Sequence, residues 1–156
     1  MTAPKQQRRS RRIAMTPDEV TAFLDSERTV RVATNGTNGP HATPLWYLWD
    51  GEFLWLTSLS RSQRWTDLMA DPRIAAVVDA GHDDYSQLRG VEIRGTVEVV
   101  GEVPRTGEPN PDLARVEQAF ADRYTAGHVV IDGRHAWLRL RPEKISSWDF
   151  RKIPQG

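Results

Sequence analysis

Residues 57–68, TSLSRSQRWTDL, bring hydroxyl and guanidinium groups together over a short interval: Thr57, Ser58, Arg61, Ser62 and Arg64. Such donors at this density suit a phosphate, since arginine offers a planar fork and hydroxyls add hydrogen bonds. The apolar spacing Trp65, Leu68, Met69 and the stop at Asp71-Pro72 predict a short helix, with Ser60 or Ser62 as its N-cap. A helix N-terminus carries partial positive charge and favours acids, yet this one presents Arg61 and Arg64 and no acid before Asp67. On a helical wheel Arg61, Arg64, Trp65 and Leu68 fall within about 100°, which puts the arginines on the core-facing side. A phosphate held by both arginines, the free first-turn N–H groups and the hydroxyls of Thr57, Ser58 and Ser62 removes the charge conflict. The alternative is that the guanidinium groups snorkel to water or pair with Asp67.

Other chemistry is sparse. The chain has no nucleophile elbow, no Walker loop, no G-x-G-x-x-G and no H-E-x-x-H. His41, His82, His128 and His135 show no short metal-ligand spacing, and His82-Asp83-Asp84 reads as a solvated loop. Six tryptophans carry more information, with Trp46, Trp49 and Trp55 on consecutive strands, Trp65 on the helix, and Trp137 and Trp148 on the last strand. Each either packs in the core or walls a ligand site.

The elements that must position these residues read as follows. Thr16 with Glu19, and Pro17 between them, form a capping box for a helix with Val20, Phe23 and Leu24 on one face. TVRVATN, HATPLWYLWD and EFLWLTS read as three strands, the last two joined by a tight turn at Asp50-Gly51. PLWYLWD is apolar on both alternating faces, so something must cover its outside: a helix, a second subunit or a planar ligand. RIAAVVDA is a short apolar strand, and LRGVEIRGTVEVVGE a long one with Gly95 where a bulge or bend would sit. PDLARVEQAFADRY is an amphipathic helix with Leu113, Val116, Phe120 and Tyr124 on one face, and HAWLRLRPEKISSWDF returns as a last strand interrupted at Pro142. Six hairpin-connected strands with flanking helices predict a mainly β, α+β protein built on a closed antiparallel barrel.

The chain has 156 residues, enough for one domain, and no apolar run approaching a membrane span. It contains no cysteine, which agrees with a cytoplasmic location. Formal charge is zero, but five of the 21 basic residues, Lys5, Arg8, Arg9, Arg11 and Arg12, fall in the first twelve positions with no acid among them. The expected organisation is therefore a basic tail over 1–14, disordered or extended along the surface, and one domain over 15–156. The net acidic body and the lack of an interleaved basic and aromatic face argue against nucleic acid as a partner, and no membrane partner is expected.

The order and spacing of several pieces resemble the flavin-binding split-barrel family related to pyridoxamine 5′-phosphate oxidase, and within it the actinobacterial flavin/deazaflavin-dependent oxidoreductases. The pieces are a strand ending in Thr57-Ser58, the basic segment before DLMADPR, IAAVVDAG, DDYSQLRGVEIRGTVEVVGE and RPEKISSWDFRK, together spanning residues 16–153. The resemblance implies a six-stranded split barrel and a homodimer with cofactor sites at the subunit interface. It implies that the cofactor phosphate sits on the basic segment, where Arg64 replaces the branch's usual lysine seven residues before the Asp-Pro pair. The implied cofactor-binding residues are Thr43, Pro44, Leu45 and Trp46 beside the ring, Thr57, Ser58, Arg61, Ser62, Arg64 and Trp65 around the phosphate, and Trp148, Arg151 and Lys152 covering the site from the partner. No catalytic side chain is implied, because the cofactor carries the hydride and the protein positions it. The expected activity is hydride transfer between coenzyme F420 and a small conjugated molecule. FMN is the alternative cofactor, with a non-catalytic ligand-binding barrel as a further reading.

Overall fold

A computed structural model of the chain describes residues 2–154. Three α-helices, α1 (Pro17–Ser26), α2 (Gln63–Ala70) and α3 (Pro111–Tyr124), accompany seven strands: β1 (Val30–Gly36), β2 (Gly39–Leu45), β3 (Tyr47–Trp49), β4 (Leu54–Leu59), β5 (Arg73–Ala80), β6 (Arg89–Val100) and β7 (His135–Asp149). The capping box of α1 is complete, the Thr16 side chain accepting from the Glu19 N–H and the Glu19 carboxylate accepting from the Thr16 N–H. Ser62, not Ser60, caps α2 by accepting from the Trp65 N–H at 3.1 Å. Asp50 organises the β3–β4 turn, its Oδ1 accepting the N–H groups of Glu52 and Phe53 at 2.8 and 2.7 Å.

The strands form one antiparallel sheet in the order β2-β1-β5-β6-β7-β4-β3. Its two edge strands, β2 and β3, are separated in the chain by Trp46 alone. Leu45 and Tyr47 can lie no more than about 7 Å apart, so the sheet must curl until its edges meet at that residue. The curl agrees with a split barrel, but the sheet has seven strands where six were expected. HATPLWYLWD, expected as one strand, is two, bent at Trp46, because β2 pairs with β1 whereas β3 pairs with β4.

The core fills the inside of the curl with Val30, Val32, Leu54, Leu56, Ile93, Leu138 and Leu140, closed by Phe23 and Leu24 of α1 and Trp65 and Leu68 of α2. A second cluster, Phe53, Trp55 and Trp137 under Leu113 and Val116 of α3, lies on the outside of β4 and β7. The doubly apolar PLWYLWD is thus covered by the chain itself: Tyr47 and Trp49 enter the core, and Leu48 packs against the cluster beneath α3. Arg123 and Tyr124 pin α3 in place, donating to the carbonyls of Leu24 (3.0 Å) and Arg28 (2.8 Å) at the end of α1.

β7 is not interrupted at Pro142. Arg94 pairs with Lys144 and Gly95 with Pro142, so Glu143 is the extra residue of a bulge, where a missing N–H costs the ladder nothing. Beyond Leu140, β7 has no β4 neighbour, and the basic arm runs extended along that edge. The Lys5 N–H donates to the Glu143 carbonyl at 2.8 Å, and the Gln7 amide bonds both the N–H and the carbonyl of Ser147. An exposed edge of backbone donors and acceptors is thereby occupied.

Candidate cofactor site

Arg64 is the centre of the candidate site. It lies on the second residue of α2, the helix turns its side chain toward the sheet, and only 8% of the residue is exposed. Its Nε donates to Ser58 Oγ at 3.1 Å and its Nη1 to Thr43 Oγ1 at 2.6 Å. Among the described residues no carboxylate lies within 4.0 Å of it. Asp67, one turn along the same helix, is engaged elsewhere: Gln63 donates to it at 2.7 Å and the Thr34 hydroxyl at 3.3 Å. Burial pulls the Arg64 pKa down, so folding carries a cost for keeping this cation charged. Five N–H donors in a fixed fork, two of them on neutral hydroxyls and none on an anion, fit a phosphate oxygen cluster.

Three residues singled out from the sequence thus meet here: Thr43 on β2, Ser58 on β4 and Arg64. Others do not join them. The helical wheel puts Arg61 on the helix face, but α2 starts at Gln63, so Arg61 stays in the preceding turn, exposed and without a hydrogen bond among the described residues. Thr57 and Ser58 sit on alternate faces of β4; Ser58 points to Arg64, and Thr57 faces α3. Ser62 caps α2 and reaches only the edge of the cluster, its Oγ 3.5 Å from Ser58 Oγ, and Trp65 is buried in the core. Pro44 is exposed on the edge strand, and Leu45 packs on the core.

Trp148, Arg151 and Lys152 lie at the far end of β7. Trp148 packs over Gly90, whose Cβ position its ring would block. Arg151 pairs with Asp149 at 2.8 Å, and Lys152 bonds the Ala14 carbonyl and Glu19.

On the α3 side, Thr57 and Trp46 open onto a cavity of about 220 Å³ also lined by Phe120, Trp137, Asp132 and His135. Trp46 remains 50% exposed but is fixed by stacking on Tyr124, with ring centres 4.6 Å apart and planes 7° from parallel. The back of the cavity is a buried ion pair. Arg105 meets Glu117 through two bonds of 3.0 and 3.2 Å, and Glu117 also accepts from the Trp137 indole at 3.2 Å. Arg105 and Glu117 carried no signal in the sequence, being twelve residues apart across a loop. Asp132 and His135 could have been read as a pair from their spacing of three.

The family model for pyridoxamine 5′-phosphate oxidase matches residues 16–149. Among solved structures, the conserved hypothetical protein Rv2991 from Mycobacterium tuberculosis is 32% identical, with 97% of this chain and 96% of that one covered and a TM-score of 0.78. A protein described as an F420 reductase is 26% identical over 84% of this chain and 98% of its own, with a TM-score of 0.62. An FAD-binding protein from Mesorhizobium loti is 20% identical over 86% and 93%, with a TM-score of 0.63, a likeness of fold. No curated protein matches the chain.

Proposed function

The chain belongs to the pyridoxamine 5′-phosphate oxidase family, and from that premise we propose that it is an oxidoreductase binding coenzyme F420 through its phosphate at Arg64. The substrate in this reading is a small conjugated molecule that exchanges a hydride with the cofactor. The observation that carries the proposal is the buried guanidinium of Arg64, which has hydroxyl partners but no anion. The 26% identity to an F420 reductase favours the deazaflavin over FMN. When bound, the deazaflavin supplies the hydride; the chain supplies position and electrostatics.

Arg64 would hold the phosphate, with Ser58 and Thr43 keeping the fork aimed. Arg61 is free to add a second, exposed contact. The Thr43–Trp46 segment would run beside the ring system, and Trp46, already stacked on Tyr124, would give it a rigid wall. No side chain of the chain needs to take part in bond making.

Equilibrium titration of one cofactor-stripped preparation with coenzyme F420 and with FMN, followed by tryptophan quenching, tests this. F420 is expected to bind at least tenfold tighter. Equal or reversed affinities would overturn the deazaflavin assignment, and no binding of either would leave a split barrel for some other ligand.

The proposal includes a homodimer, since Trp148, Arg151 and Lys152 lie away from Arg64 within one chain and could cover only a second copy's site. Sedimentation is expected to give twice the 17.7 kDa of one chain. A monomer that binds cofactor with full affinity would remove these three residues from the site.

A further inference from the structure

The cavity between α3, β4 and β7 is more than a gap beside the proposed cofactor. Its walls are rings fixed by one another: Phe120 meets Trp137 edge-on at 5.3 Å and 87°, and Trp46 lies 6.4 Å from Phe120. Planar faces held at such angles suit a planar guest and need no rearrangement to receive it. At about 220 Å³ the space is smaller than the roughly 300–1,000 Å³ of drug-sized ligand sites, which limits a guest to one or two fused rings. The rim is apolar and open to solvent, with Val130 69% exposed.

One polar group at the mouth is oriented with care. Asp132 Oδ1 accepts the N–H groups of Arg134 and His135 at 2.9 and 3.0 Å, and its Oδ2 lies 2.6 Å from His135 Nδ1. Burial opposes ionisation of Asp132, but these N–H groups and the imidazole outweigh it and hold the carboxyl at about 2. An ionised carboxylate can only accept, so Nδ1 carries the proton toward it, and whenever the ring is neutral Nε2 is the acceptor. Nε2 has no hydrogen bond among the described residues. An anchored imidazole with one free acceptor beside three fixed aromatic rings is a combination that packing alone does not require.

We propose that this cavity binds a planar one- or two-ring compound bearing a hydroxyl group, the rings lying against the wall formed by Trp46, Phe120 and Trp137 and the hydroxyl donating to His135 Nε2. Binding stands independently of the cofactor; only the cavity's service as the substrate pocket rests on the proposed oxidoreductase.

The test is calorimetric titration of the cofactor-free full chain with 2-naphthol and with naphthalene, at about pH 8. Wild type is expected to bind 2-naphthol at least tenfold tighter than naphthalene, because a site built to pair a hydroxyl rejects the analogue lacking it. His135→Phe keeps a ring of similar size and is expected to bring the two affinities within twofold while naphthalene binding holds. Melting curves verify that the variant is folded, and Asp132→Asn, which frees the imidazole, is expected to reduce the preference partway. Equal affinities in wild type, no binding of either compound, or a preference that survives His135→Phe would overturn the site. Such a failure in a protein that still binds coenzyme F420 counts against the cavity alone, whereas the naphthol preference without F420 binding counts against the cofactor reading alone.

Discussion

Arg64→Met is expected to weaken coenzyme F420 binding by about 1.5–3 kcal/mol, the range for hydrogen bonds to charged groups, or about 10- to 150-fold. The cofactor-free protein should meanwhile melt at the same temperature or higher. Methionine follows the stem of the arginine but carries no charge to desolvate, and replacing a buried ion with an apolar group of similar volume is often neutral or stabilising. Ser58 is not stranded by the change, since its hydroxyl also lies 3.5 Å from Ser62 Oγ. Arg64→Lys should keep more affinity than Arg64→Met, because the charge survives while the fork is lost. If Arg64 were only a structural pin between β2 and β4, the pattern would invert. Stability would fall and affinity would hold, and that result would sink the phosphate site.

Both variants probe a residue whose importance was legible in the sequence, and the reason is local. A cation in the first turn of a helix conflicts with the helix dipole wherever the rest of the chain lies, so Arg64 is conspicuous without knowledge of its contacts. The α1 capping box, the face of α3 and the place of the bulge were legible for the same reason, since each depends on residues within a few positions. What could not be read is set by pairing across the chain. PLWYLWD is apolar on both faces, so its alternation gives no sign that it breaks at Trp46 and divides between opposite sheet edges. Thr57 and Ser58 look like one polar strand end, yet a period of two sends them to different sites. The cover over PLWYLWD was equally undecidable, because a helix and a second subunit leave the same pattern. The aromatic cavity needs β4, β7 and α3 together, and no window of sequence contains all three.

A large effect on stability is expected at Gly95, where the sequence predicts a bulge or bend and the fold supplies the reason. Its φ is not left-handed, so an alanine there meets no conformational penalty. The obstacle is contact. A Cβ at Gly95 would overlap the carbonyl oxygen of Arg141 and lie 2.9 Å from its carbon and 3.2 Å from the Glu143 nitrogen. These are backbone atoms of the facing strand, fixed on one side by the bulge and on the other by the ring of Pro142, so no side chain can swing away to make room. Gly95→Ala should therefore cost about 3 kcal/mol, the upper end for overpacking, and lower the melting temperature by about 6–12 °C for a domain of this size. Gly39→Ala gives the contrast: its φ is +112°, but nothing lies within 4 Å of the added carbon, so the cost is the backbone term of about 1–2 kcal/mol. A ranking with Gly39→Ala the more damaging would mean that the strands part easily at the bulge. The curl of the sheet would then have to be held elsewhere, at the Trp46 corner where β2 passes into β3.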